Sequence, residues 1–237
     1  MSEFGTKTQL TQCQNRDIIL TQCQNKGVQV MPRGSAELTS ARENEIINAC
    51  AALYDTMGFA EITVKDIGDA TSFARTSIYN YFQTKEEIFL ALLGREYRVW
   101  HRELMAALEE RGRLTREEFS ALLAETLSKR ERMLKLLSMN LFAIEENSRT
   151  EKLVEFKREF GAAMDAVNRG LCMLLPEMPQ TEKTRFLYTF FPLMQGVYPY
   201  ASPTEKQLCA MERAGIGYRR FSVCDMVRMA AERLLGV

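Results

Sequence analysis

The sequence predicts an all-α protein, and three observations carry that expectation. A Ser or Thr followed three residues later by Glu or Asp precedes seven apolar-periodic segments: Ser40 with Glu43, Thr63 with Asp66, Thr84 with Glu87, Thr115 with Glu118, Ser148 with Glu151, Ser202 with Glu205 and Ser222 with Asp225. Each such pair satisfies two amide donors left unpaired at a helix start. Within the segments, apolar residues recur at helical spacings of three and four. Strand signals are weak: alternating runs of β-branched and aromatic residues are only a few positions long, and no Asn-Gly or Asp-Gly hairpin turn occurs.

The first helix runs from Ser40, with Ile46, Ile47, Cys50, Leu53, Tyr54 and Met57 on one face, and Gly58 closes it as a left-handed glycine would. A short helix follows over Thr63 to about Ala70, then a turn, then a second short helix from about Ala74 to Phe82. Ile62, Ile67, Phe73, Ile78 and Phe82 supply a small common core. Thr84 opens a long helix to Arg111, about 42 Å at 1.5 Å per residue, and Gly112 ends it. Further helices are expected near 115–128, 130–146, 149–175, 181–200, 203–214 and 222–235. Pro192 and Gly196 should bend the helix over 181–200, and Pro199 should end it.

The 237 residues carry 31 Lys plus Arg against 31 Asp plus Glu. A polycationic nucleic-acid-coating protein is therefore excluded, and any DNA contact must come from a local patch. Six Cys without a C-x-x-C pair, and His101 as the one His, exclude a zinc finger or a disulfide framework. No metal site and no cofactor is expected, and Cys50, Cys172, Cys209 and Cys224 read as small core residues. No apolar run approaches the roughly 20 residues that cross a bilayer, so the expectation is a soluble, cytoplasmic chain. Residues 11–15 and 21–25 repeat Thr-Gln-Cys-Gln-Asn, and this polar stretch ends at Met31. Residues 1–38 are read as a leader or arm outside the fold, 39–83 as one domain and 84–237 as another.

Two short helices with a tight turn between them, behind a longer supporting helix, form the helix-turn-helix pattern. The second helix begins Ala74-Arg75-Thr76-Ser77, small and polar, leaving side chains free for base edges while Ile78 faces the core. Lys85 lies in the first turn of the next helix, where the helix dipole disfavours a cation, and that points to an anionic partner.

Gly58-Phe59, Ile62-Thr63-Val64-Lys65-Asp66-Ile67, Thr76-Ser77-Ile78-Tyr79-Asn80-Tyr81-Phe82 and Thr84-Lys85-Glu86-Glu87-Ile88-Phe89 resemble the signature of the tetracycline-repressor (TetR) family of bacterial transcription regulators. The resemblance implies a homodimer of all-helical subunits: an N-terminal three-helix DNA-binding domain, joined by a long helix to a C-terminal domain that dimerises and binds a small effector. It places Tyr79 and Lys85 on phosphate-binding positions and Thr63 at the start of the helix that crosses the DNA backbone. Lys65, Arg75 and Thr76 fall on positions that approach bases or neighbouring phosphates, and Arg75 reads either as a guanine contact or, more plainly, as a phosphate contact or a solvated surface arginine. Ser77 and Tyr81 complete the set. Three positions depart from the family pattern: Ser72 where the turn usually has Gly, Ala74 where the recognition helix usually has a Ser cap, and Tyr81 where a His is usual. Thr71 or Ser72 is expected to supply the missing cap.

Residues 39–92 contain four basic and eight acidic residues. Binding would therefore rest on a few placed cations and on helix N-termini, doubled by dimer symmetry, rather than on a bulk field. In the C-terminal part, Trp100, His101, Met139, Phe142, Phe160, Met164, Phe190 and Met194 are candidates for an adaptable apolar effector pocket. The last helix, with Val223, Met226, Val227, Met229, Ala230, Leu234 and Leu235, is apolar over more than half its girth. The resemblance implies that the last two long helices pair in a four-helix dimer interface.

The resulting expectation is a repressor of a double-stranded, pseudo-palindromic operator, released by a small hydrophobic effector. An all-helical enzyme finds no support, because there is no Ser-His-Asp or Cys-His set and no Gly-rich phosphate loop. A helix-turn-helix-derived interaction module without DNA binding stays open, encouraged by the acidic balance of residues 39–92.

Overall fold

The structure, a computed structural model, describes residues 33–237, and every regular element among them is a helix. The repeated pentapeptide and Met31 lie outside the described residues. The first helix, α1, spans Arg33–Thr56, so residues 33–38, read from sequence as part of the leader, are helical. Ser40 consequently lies inside α1, within reach of the Asn44 amide at 3.5 Å, and does not start it. The expected stripe is in place, with Ile46, Ile47, Cys50 and Tyr54 buried and Leu53 and Met57 packed against them. Gly58 closes nothing by left-handed geometry, since the positive-φ glycines among the described residues are Gly112, Gly215 and Gly236. Its amide instead donates to Glu61 Oε2 at 2.6 Å, and that side-chain bond turns the chain.

Helices α2 (Val64–Asp69) and α3 (Arg75–Ile78) follow, and then α4 (Lys85–Arg111), which Thr84 caps by accepting from the Glu87 amide and Gly112 ends at φ +67°. Thr115 and Glu118 form the expected capping box of α5 (Arg116–Ser128). The single helix expected over 130–146 is two, α6 (Glu131–Leu137) and α7 (Leu141–Glu146). The break has a local cause: the Ser138 hydroxyl donates to the Lys135 carbonyl at 2.7 Å, and Asn140 accepts from the Ala143 amide to start α7.

Helix α8 (Thr150–Leu174) begins after Arg149 rather than with a Ser148 cap, because the Ser148 hydroxyl is turned back onto the Ile144 carbonyl at 2.8 Å. Helix α9 (Gln180–Ala201) continues past both Pro192 and Pro199. Pro199 does not end it: it falls in the last turn, where the amide it lacks would have bonded the carbonyl of solvent-exposed Gln195. Helix α10 (Glu205–Arg213) starts from a Thr204–Gln207 capping box instead of Ser202 with Glu205. Helix α11 (Val223–Leu235) has the Ser222–Asp225 box and ends at Gly236 with φ +73°.

Helix α4 is the spine, packing along α8 and touching α1, α5, α6 and α7, while α11 lies on α5 and α9. Close approach of α8 to α5 requires Gly170, because a Cβ there would lie 2.3 Å from the Phe119 ring. Val227, Ala231 and Leu235 of α11 are buried within the subunit, so much of the apolar girth attributed to a partner is used internally. Helix α9 instead leaves Tyr188, Leu193 and Tyr200 exposed over one broad face. Cys50 is a core residue whose thiol burial pushes up to about 12; Cys209, in contrast to the sequence reading, is exposed on α10. No helix among the described residues is long and apolar enough to cross a membrane.

Candidate nucleic-acid interface

The geometry of the α2–α3 pair starts from two local devices. Thr63 accepts from the Asp66 amide while Asp66 Oδ2 accepts from the Thr63 amide at 2.8 Å and from its hydroxyl at 2.6 Å. These bonds hold the Asp66 carboxyl below its ordinary range. The second device, absent from the sequence reading, is Gly68. A Cβ there would meet Arg75 Cβ at 3.1 Å and Arg75 Cα at 3.2 Å, so any larger residue at 68 would push the start of α3 away by a few tenths of an ångström. The family pattern drew attention to Ser72 as the place for a glycine, yet the close approach is made four residues earlier.

The turn between the two helices is tied to α1. The Ser72 amide donates to Glu45 Oε1 at 2.5 Å, and this bond holds the Glu45 carboxyl below its usual range. The Arg42 guanidinium lies 4.6 Å from the Phe73 ring centroid. Neither Thr71 nor Ser72 caps α3: Ala74 precedes it with no side-chain cap, and the Thr71 hydroxyl serves the carbonyls of Gly68 and Phe73. Helix α3 is also short. It ends at Ile78, and the chain continues to Phe82 in bonded turns, Asn80 to Ser77, Tyr81 to Ile78 and Phe82 to Ile78, rather than as the single helix expected to Phe82.

This short segment has two sides. Ile78 and Phe82 are buried beneath it, with Ile67 and Ile62. Arg75 and Thr76 are exposed, Ser77 is half-buried, and Tyr79 is 45% exposed although it is aromatic. Thr63 and Lys65 are exposed at and just inside the start of α2. Tyr81, expected outside with Tyr79, is half-buried, its ring 6.4 Å from that of Phe73. Lys85 has an intramolecular reason for its place at a helix start: its ammonium donates to the Phe59 carbonyl at 2.7 Å and sits 4.2 Å from the Phe59 ring centroid. A carbonyl and an aromatic face thus meet the charge.

The C-terminal candidates divide. Trp100, Phe160 and Phe190 belong to one aromatic seam across α4, α8 and α9. Trp100 lies 6.0 Å from Phe191, Phe160 5.4 Å from Phe191, and Phe190 6.1 Å from Phe191. Trp100 is fully buried and donates to the Thr126 hydroxyl at 3.1 Å. Met194 is buried, Met139 and Met164 are half-buried against the core, and His101 is half-buried on α4. Phe142 is not brought to them: it stands 77% exposed on α7. Tyr97 and Phe191, outside the candidate set, join the seam, and Tyr97 was findable as the residue one turn before Trp100 on the same helix.

Residues 46–92 match the family described as bacterial regulatory proteins, tetR family, and residues 94–235 match the tetracyclin repressor-like C-terminal domain. Over 62 residues the chain is 31% identical to an uncharacterized HTH-type transcriptional regulator, YfiR, of Bacillus subtilis (strain 168). That match covers 26% of this chain and 30% of the relative's length. Among solved structures, a TetR transcriptional regulator from Rhodococcus sp. RHA1 is similar with a TM-score of 0.56 and 13% identity, over 84% of this chain and 97% of that one. FadR from Bacillus subtilis in complex with stearoyl-CoA is similar with a TM-score of 0.52 and 13% identity, over 80% and 96% of the two chains. At such identity these likenesses show the fold alone. The two family matches together take in both the helix-turn-helix segment and the helices beyond it, and on that ground the chain belongs to the TetR family of bacterial transcriptional regulators.

Proposed function

We propose that the chain is a sequence-specific DNA-binding repressor that acts in the cytoplasm as a homodimer and is released by a small apolar effector. The observation that carries the DNA reading is the ridge of Arg75, Thr76 and Tyr79, exposed to solvent and held from beneath by buried Ile78 and Phe82. A polar ridge on a rigid apolar base suits a major groove, where Arg75 reaches base edges or phosphate and the Tyr79 hydroxyl reaches phosphate. Residues 39–83 would form the DNA-binding unit and 84–237 the effector and dimerisation unit. The exposed face of α9 with Tyr188, Leu193 and Tyr200 supports dimerisation there, and a stable homodimer needs roughly 2,000 Å² or more of buried surface.

The aromatic seam of Trp100, Phe160, Phe190 and Phe191 supports an apolar effector, as does the stearoyl-CoA bound by the similar FadR. Release requires that the effector bind a conformer with the wrong spacing of recognition helices more tightly than the operator-bound one. A gel shift on the chain's own upstream region tests the reading: retarded duplex supports it, and no retention at micromolar protein refutes it in favour of an interaction module. A thermal-shift screen of apolar compounds, followed by quenching of Trp100, tests the effector.

A further inference from the structure

A cleft of about 410 Å³ lies between the end of α1, the middle of α4, the α5–α6 junction and α9. It lies outside the aromatic seam, and its volume is that of a small-molecule site. Two tyrosines line it. Tyr54 is 2% exposed and Tyr198 is half-buried, and neither hydroxyl has a hydrogen-bond partner among the described residues. Burial and the neighbouring Tyr198 push the Tyr54 phenol up, and burial and Glu131 do the same to Tyr198. Both therefore stay protonated and available as donors.

The third group is Lys135 of α6. Its ammonium donates to the Tyr54 carbonyl at 2.8 Å and rests 4.2 Å from the Tyr54 ring centroid. Among the described residues no carboxylate lies within ion-pair distance of it. The remaining cations of the cleft are committed: Arg132 grips Asp55 through Nε at 2.9 Å and Nη2 at 2.7 Å, and Arg130 and Lys129 hold Glu103. Asp55, Glu96 and Glu131 line the cleft along with its four cations, and Arg132 also reaches Glu96 at 3.3 Å. What remains is two phenols without a hydrogen-bond partner beside an ammonium that a carbonyl and a ring face meet but no carboxylate pairs, three donors that one oxyanion can engage together.

We propose that this cleft binds the oxyanion of a small carboxylate or phosphate ligand, held by the Tyr54 and Tyr198 hydroxyls and by Lys135 at the junction between α1 and the C-terminal helices. The bound oxyanion also competes with Asp55 for Arg132, so that occupancy acts on the α1–α6 link and through it on the helix-turn-helix segment.

The test is thermal unfolding of the full chain in sodium phosphate and in sodium benzoate, each against sodium chloride at equal ionic strength. The chains compared are wild type, Lys135→Met, Tyr198→Phe and the exposed control Lys206→Met. At ten times the dissociation constant, binding to the native state raises Tm by about 4 °C. The rise is expected in wild type and in Lys206→Met, cut to under about 1 °C in Lys135→Met, and reduced in Tyr198→Phe. A rise with only one anion assigns the oxyanion source and supports the site. Equal rises in wild type and Lys135→Met would show general salt stabilisation and overturn the site, as would no rise with either anion. Should Lys135→Met not fold, Tyr198→Phe, which removes one hydroxyl only, decides on the same criterion. Operator retention without phosphate, measured on the same wild-type protein, reports the proposed function separately.

Discussion

The carboxylate of Glu87, in the first turn of α4, is fully buried and gripped by Arg149, through Nε at 2.7 Å and Nη2 at 2.9 Å. The Arg149 and Gln83 amides also donate to it, at 3.0 and 2.8 Å. The same guanidinium reaches the Tyr81 carbonyl at 3.0 Å, and the Thr84 hydroxyl donates to the Asn147 carbonyl at 3.0 Å. The end of the recognition segment is thereby bonded to the α7–α8 junction.

Removing one partner of that pair should be costly, because the other is left buried and uncompensated. Arg149→Met is expected to lose about 3 kcal/mol of unfolding free energy, the low end for buried pairs because Arg149 itself reaches water. Denaturant titration measures it. A loss below about 1 kcal/mol would mean that the pair contributes like an ordinary surface bridge.

The same pair sets a pH dependence. Burial would push the Glu87 carboxyl up, but the bonds from Arg149 and the two amides outweigh it and hold the group below its ordinary range. A folded-state value below the unfolded one contributes stability that is complete above about pH 4.3 and lost as pH falls through the lowered value. The difference between wild type and Glu87→Gln should therefore be largest near pH 6–7 and close as pH falls below about 4. A difference constant from pH 7 to 3 would contradict the linkage.

Gly68→Ala sets helix propensity against crowding. Alanine gains about 1 kcal/mol in a helix interior, but its Cβ meets the Arg75 backbone at 3.2 Å, which cannot yield as a side-chain tip does. Net destabilisation of about 1 kcal/mol is expected, with a larger loss for Gly68→Val. Stabilisation by Gly68→Ala would show that α2 and α3 move apart freely.

Lys65 and Arg75 are exposed and Lys85 is partly engaged by Phe59. Two to three cations in each of two subunits neutralise four to six phosphates, so log affinity should fall with log salt at a slope of about −4 to −5. A slope steeper than about −8 would require cations outside this set.

What was legible in the sequence was mostly local. The Thr63–Asp66, Thr115–Glu118 and Ser222–Asp225 pairs start helices as read, because a capping box is complete within four residues. The same pattern at Ser40, Ser148 and Ser202 misleads, since a helix was already running at Ser40 and other bonds claimed Ser148 and the α10 start. Ile78 and Phe82 beneath an exposed Tyr79 followed from spacing alone. The Phe59 carbonyl under Lys85 and the partner of Glu87, 62 residues away, did not, because nothing in one chain's pattern encodes a contact between distant turns. Phe142 shows the converse: an aromatic in an apolar stretch is buried only if a neighbouring helix covers it.

The most direct measurement of the central claim is selection of duplexes from a random pool by the full chain, followed by footprinting and by affinities of Tyr79→Phe and Arg75→Ala. The account predicts two protected half-sites about one helical turn apart. Tyr79→Phe should weaken binding by about a hundredfold, from a charged hydrogen bond of about 1.5 kcal/mol lost twice. It should shift folding stability by less than about 0.5 kcal/mol, and Arg75→Ala should weaken or broaden the selected sequence. Absence of any selected sequence, or unchanged affinity in both variants, would contradict the assignment of this ridge to DNA.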